Sequence, residues 1–311
     1  MKTLNGLALT TAFVLVSSVV LAGPLQRTDV PPELAWVLHV DCDALRSTAL
    51  GEYLSNEMDK PEAEARFAVF KTIYNFDPRS AMHGLTLYAI PASPRAGIAL
   101  VYADVDTARL ETLVRGAHDY HSSTYRSHTI HNWIDERRLG KPRTFAAIHA
   151  GRVVVFGQTE SGVSRALDVL DRNAPNLASG AAFPEMGARS GAIVQAAATK
   201  LDLTEDPNAA IFRMSKEIHF RMDEPSRQVN AVLTLKTEGA EVAGHVASIA
   251  QGLVSLMKLQ TEKPESVKIA HALTITTVDS EVTATLKLAA SDMIEVFKTG
   301  VARKLGQNSN P

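Results

Sequence analysis

Cysteine is almost missing from this chain: Cys42 is the only one in 311 residues. A single thiol cannot close an intramolecular disulfide, so the fold has to rest on an apolar core. Neither sign of charge prevails, with 32 Lys and Arg against 34 Asp and Glu. That balance removes the electrostatic case for nucleic acid or an anionic membrane as partner. Past the N-terminus no apolar run reaches the roughly 20 residues that a membrane-crossing helix needs. Catalytic signatures are missing too. The chain has no G-x-S-x-G elbow, no H-E-x-x-H pair, no phosphate loop and no G-x-G-x-x-G turn. These absences lead to the expectation of a non-enzymatic protein with no cofactor and no bound metal.

Export is the clearest positive signal. Lys2 precedes a largely apolar run from Leu7 to Leu21, and Val20-Leu21-Ala22 forms a small-residue cleavage site. Cleavage is expected between Ala22 and Gly23, placing the mature chain in the periplasm or outside the cell. Pro24 stands where a bacterial lipoprotein would carry its modified cysteine. Of the 311 residues, the 289 beyond Ala22 suffice for one large core or two smaller ones.

A strand–strand–helix pattern dominates the rest of the chain. Leu85 to Ile90 and Ile98 to Ala103 read as strands, and Asp104 and Asp106 then open a helix with Leu110, Leu113 and Val114 at helical spacing. Phe145 to Ile148, Val153 to Phe156 and the helix of Val163, Ala166, Leu167 and Leu170 form a second unit. A third pairs Ile218 to Met222 with Val229 to Leu235 and continues into a helix striped by Val242, Val246, Ile249, Leu253 and Leu256. The fourth pairs Leu273 to Thr277 with Val282 to Leu288 before a helix opened by Ser291 and Asp292. Trp36 to Val40 is a further strand, followed by a helix expected over Ala44 to Glu57 and another over Pro61 to Tyr74. A strand is expected over Tyr125 to Ile134. Gly244, Ser248 and Gly252, spaced by four, suggest a helix face that packs closely on another helix.

Residues 173–190, rich in Pro, Gly, Ala and Asn, mark a boundary. The expected organisation is a leader peptide (1–22), an extended segment (23–34), a first half (35–172), a linker (173–190), a second half (191–306) and a disordered tail (307–311). Strands that pair with their sequence neighbours make antiparallel sheets. The fold class is therefore α+β: two similar halves of antiparallel sheet with helices packed on one face. Three stretches, Trp36-Val37-Leu38-His39-Val40-Asp41, His128-Thr129-Ile130-His131-Asn132-Trp133 and Ala166-Leu167-Asp168-Val169-Leu170, resemble a loose group of exported bacterial proteins of unassigned function. The resemblance implies export and carries no activity or site.

The most unusual composition lies between His118 and Trp133. Tyr120, His121, Tyr125, His128, His131 and Trp133 form a candidate binding surface, because such rings suit positions apolar on one side and wet on the other. Within a strand His128 and His131 point to opposite faces, which argues against one shared metal. Asp41-Cys42-Asp43 and Asp104-Val105-Asp106 could offer oxygen ligands to a cation, but both stand where a strand turns into a helix, and capping explains them. The functional expectation is an exported soluble protein that binds a small molecule or protein partner, or serves structurally in the envelope. The alternative is an exported hydrolase, metal-dependent or not, with its residues dispersed over loops.

Overall fold

Twelve strands form one antiparallel sheet in the computed structural model, which describes residues 23–187, 191–199, 210–260 and 262–307. The expected leader, with Ala22, and residues 308–311 of the expected tail lie outside the described residues. In chain order the first half contributes β1 (Trp36–Asp41), α1 (Cys42–Arg46), α2 (Ala49–Met58), α3 (Pro61–Tyr74), α4 (Pro78–Ala81), β2 (Met82–Ala89), β3 (Ile98–Ala103), α5 (Thr107–Arg115), β4 (His121–Tyr125), β5 (His128–Ile134), β6 (Arg143–His149), β7 (Val153–Gly157) and α6 (Glu160–Leu170). The second contributes β8 (Ala192–Ala198), α7 (Ala210–Arg213), β9 (Ser215–Asp223), β10 (Gln228–Thr237), α8 (Ala240–Lys258), α9 (Pro264–Ala272), β11 (Leu273–Val278), β12 (Glu281–Ala289) and α10 (Ala290–Gln307). The fold is α+β.

Local chemistry sets most boundaries. Side chains of Asp41, Thr48, Asp106 and Thr159 accept the otherwise unpaired N–H groups that open α1, α2, α5 and α6. Pro61, Pro78 and Pro264 sit in the first turns of α3, α4 and α9, where a missing N–H costs nothing. Two expected elements are divided. The helix expected over Ala44 to Glu57 breaks at Ser47 and Thr48, because Thr48 caps a new start. The strand expected over Tyr125 to Ile134 starts at His128, since Arg126 at φ 53° turns the β4–β5 hairpin.

Outward from the centre the strands run β1-β2-β3-β7-β6-β5-β4 on one side and β8-β9-β10-β12-β11 on the other. The halves meet where β1 pairs antiparallel with β8, Trp36 opposite Ala198 and Val40 opposite Val194. The join also changes which face the final helix of each half covers. Val37, Tyr88 and Ile98 are in register, as are Leu100 and Val155, and α6 packs on that face through Val163, Ala166, Leu167 and Leu170. Ala198, Ile218, Leu235 and Val282 are likewise in register, but Ala198 faces Trp36, the neighbour of Val37, so these point the other way. There α8 packs through Ala243, Val246 and Ala247, and α10 seals Val229 and Leu288 through Met293.

The halves exchange contacts. Leu50 of α2 is buried beside Val229, Leu288 and Met293, and the Glu224 carboxylate accepts from the N–H groups of Ala49 and Leu50 at 2.7 and 3.0 Å. The stretch after α6 is packed as well: Leu177, Phe183 and Met186 are buried in the first-half core. Gly244, Ser248 and Gly252 do not seat a helix. All three are exposed, and nothing lies within 4 Å of a Cβ built at Gly244 or Gly252. The small residues that let α8 approach the sheet are Ala243 and Ala247, while Leu256 and Leu259 stay 60% and 75% exposed.

Candidate functional site

The β4–β5 hairpin divides the six ring residues between two faces. Tyr125 and His128 are opposite each other in register, as are His121 and Asn132, so His121, Tyr125 and His128 share one face. His131 and Trp133 point to the other. On the first face the Tyr125 hydroxyl donates to Asp168 Oδ2 at 2.8 Å, and Arg126 Nε lies 2.8 Å from Asp168 Oδ1 with its guanidinium over the Tyr125 ring. His128 Nε2 meets Asp171 Oδ2 at 2.7 Å, and His149 Nε2 meets Asp171 Oδ1 at 3.0 Å. Burial alone would raise the Asp171 pKa, but the bonds from the two imidazoles outweigh it and hold the carboxyl below its usual range. His121 is exposed and turns back to Asp119. On the second face the Tyr120 hydroxyl and His131 Nδ1 share a hydrogen bond of 2.9 Å and the rings stack at 5.9 Å. Burial lowers the His131 pKa, so that ring is neutral. Trp133 lies on this face, half-buried.

The structure therefore brings together Tyr125 and His128, and separately Tyr120 and His131. It does not join the two groups into one surface. Asp168 and Asp171, which hold the first group, stand three apart on one face at the end of α6. That spacing was the only sequence signal of their role.

A second cluster joins the two D-x-D corners. Asp41 caps α1 through the N–H of Ala44, and Asp106 caps α5 through the N–H of Arg109. The other member of each pair points at His83, whose Nδ1 lies 3.1 Å from Asp43 Oδ2 and Nε2 3.1 Å from Asp104 Oδ2. Both ring nitrogens can donate only as imidazolium. Burial, which would lower the His83 pKa, is overcome by hydrogen bonds to Asp104 and Asp43, and the net shift is upward. Arg46 also pairs with Asp43. Cys42, between the two acids, is pushed up by burial, so its thiol stays protonated and is a poor nucleophile at neutral pH.

Between the halves lies an open groove. One cavity of about 490 Å³ is lined by Arg46, Thr48, Glu52, Glu224 and Arg227, and an adjoining one of about 560 Å³ by Glu52, Tyr53, Asn56, Arg227, Ile294 and Lys298. Arg227 pairs with Glu52 at 2.8 Å, and the Lys298 ammonium sits 5.2 Å above the Tyr53 ring. Sequence reasoning missed this groove, because its walls come from α2, the β9–β10 turn and α10. Among the described residues no group of three or more His, Cys, Asp or Glu could hold a metal ion, and no helix is long and apolar enough to cross a membrane.

No family model matches this chain, and no curated protein does. Among solved structures it is similar to crystal form III of TP0453, with a TM-score of 0.50 and 9% identity over 88% of this chain and 97% of that one. Crystal form I of TP0453 gives a TM-score of 0.49 and 10% identity over 89% and 98% of the two chains. At such identity the likeness extends to the fold alone.

Proposed function

We propose that this chain is an exported, non-enzymatic binding protein that takes a small ligand in the groove between its halves. The observation that carries this reading is the groove itself, a space that neither half forms alone. Its size falls in the range of small-molecule sites. Arg227 and Lys298 offer cations at the rim, Tyr53 a ring and Ile294 an apolar wall, a combination suited to an organic anion with an apolar body. The rings of the hairpin fall on two separate faces and form no single surface, which favours the groove over the hairpin.

Thermal unfolding with a panel of organic anions tests the reading. A ligand at 100 times its Kd should add about 2.7 kcal/mol of stability. Arg227→Glu and Tyr53→Ala should abolish that gain without unfolding the free protein. A panel that never stabilises the protein, or a gain untouched by both substitutions, would overturn it. The hydrolase alternative is favoured by one observation, the Asp43–His83–Asp104 group. It requires turnover on an ester, amide or glycoside panel that disappears in His83→Asn.

A further inference from the structure

Asp41 is a carboxylate only 4% exposed at the end of β1. Its Oδ1 accepts from the N–H of Ala44 at 2.8 Å, and among the described residues no Lys, Arg or His side chain forms an ion pair with it. A charge buried on these terms is costly unless a counter-charge reaches it. Asp43 differs, because Arg46 and His83 already neutralise it.

What faces Asp41 is Gly23. A Cβ placed on Gly23 would lie 3.3 and 3.4 Å from the two Asp41 oxygens and 3.5 Å from Asp43 Oδ2. The Gly23 nitrogen, bonded to the same Cα at about 1.5 Å, takes that position when a freed chain end turns about the Cα–C bond, a rotation that leaves the carbonyl in place. Gly23 is buried and held in place, since its carbonyl accepts from His39 Nε2 at 3.0 Å. His39 Nδ1 in turn lies 2.9 Å from the Thr86 hydroxyl. The carbonyl can only accept, so the proton is on Nε2, and burial lowers the pKa of this imidazole so that it is neutral. His39 therefore positions the residue without supplying the missing charge.

Gly23 is also the residue that cleavage after Ala22 would make first. Within a longer chain its nitrogen is a neutral amide with a single N–H. Hydrolysis of the Ala22–Gly23 bond by a leader peptidase consumes one water, leaves a carboxylate on Ala22 and frees the Gly23 nitrogen as an ammonium with three donors. We propose that this α-ammonium docks on Asp41, with Asp43 beside it, and is the counter-ion of the buried carboxylate, so that removal of the leader completes the structure around β1. The mature chain is then more stable than its precursor, which keeps the precursor easier to unfold for export. The inference rests on the export reading, and it concerns an internal ammonium site, apart from the ligand groove.

The test uses the full chain with a site-specific protease recognition sequence placed directly before Gly23, so that cutting frees Gly23 as the first residue. Urea unfolding is measured before and after the cut, in the natural sequence and in Asp41→Asn. Cutting is expected to shift the folding equilibrium about tenfold toward the folded state. The gain should vanish in Asp41→Asn, and also on acetylation of the freed amine, which leaves Asp41 and its cap intact should the substituted chain fold poorly. Acylating reagents at about pH 7 should label the Gly23 amine at least tenfold more slowly than a short peptide beginning Gly-Pro-Leu. A gain that survives both changes, or labelling at the peptide's rate, overturns the proposal. Intact mass of the exported protein supplies the last arm. An exported chain cut elsewhere refutes the docking and spares the export reading, whereas a chain retained uncut inside the cell refutes export itself.

Discussion

Arg27 should be among the costliest residues to remove outside the core. Its guanidinium donates to the carbonyls of Leu177 at 2.8 Å and Met186 at 3.0 Å, and also reaches those of Ala182 and Phe183. It thereby clamps the stretch after α6 onto the segment before β1, where Arg27 to Asp29 form a 3-10 turn, 150 or more residues away in sequence. Hydrogen bonds from a charged donor contribute about 1.5–3 kcal/mol each. Arg27 is only half-buried, so water can re-solvate part of what Arg27→Ala exposes, and the four bonds share one charge. The expected loss is about 2–4 kcal/mol. Arg27→Lys should recover less than half, because an ammonium cannot spread donors over four carbonyls in one fork. Urea unfolding followed by the fluorescence of Trp36 and Trp133 gives the global change. Limited proteolysis over residues 177–187 gives the local one, since Leu177, Phe183 and Met186 leave the core when the clamp opens. A loss below about 0.5 kcal/mol, full recovery by lysine, or an unchanged cutting rate would refute the reasoning.

Three further outcomes are expected. A Cβ at Gly51 would lie 1.9 Å from the Leu45 carbonyl oxygen, backbone against backbone, so Gly51→Ala must separate α1 from α2 at about 3 kcal/mol or more, and a melting temperature near that of the unchanged protein would contradict this. Glu224→Ala uncaps α2 from across the halves and should cost about 1–2 kcal/mol in urea unfolding; equal stability would mean that Thr48 caps the helix unaided. His83 has a raised pKa, so its contribution is complete below the unfolded value of about 6.5 and is lost as pH rises through the folded one. Stability should therefore fall as pH rises above about 6.5 more steeply in the natural protein than in His83→Gln, and parallel pH profiles would dismiss the bridge.

Sequence by itself determined what depends on near neighbours. Alternation along Trp36 to Asp41 fixes which side chains share a face, but that the face of Val37, His39 and Asp41, two of them polar, is the buried one was decided by the tertiary structure. Asp41, Thr48, Asp106 and Thr159 cap helices because a side chain two to four residues from an open N–H reaches it whatever the rest of the chain does. The succession of hairpins and helices is likewise local. Partner choice across the fold was left to the tertiary structure. Nothing near Trp36 specifies Ala198 as its neighbour, nothing near α2 specifies Glu224 as its cap, and each D-x-D corner is read separately until β2 sets His83 between them. The reason is physical. Period and capping report the hydrogen bonds and exposed face of one element. The pairing of β1 with β8, the face on which α6 settles and the groove between α2 and α10 depend on how all the apolar faces are covered at once, and that sum is spread over the whole chain.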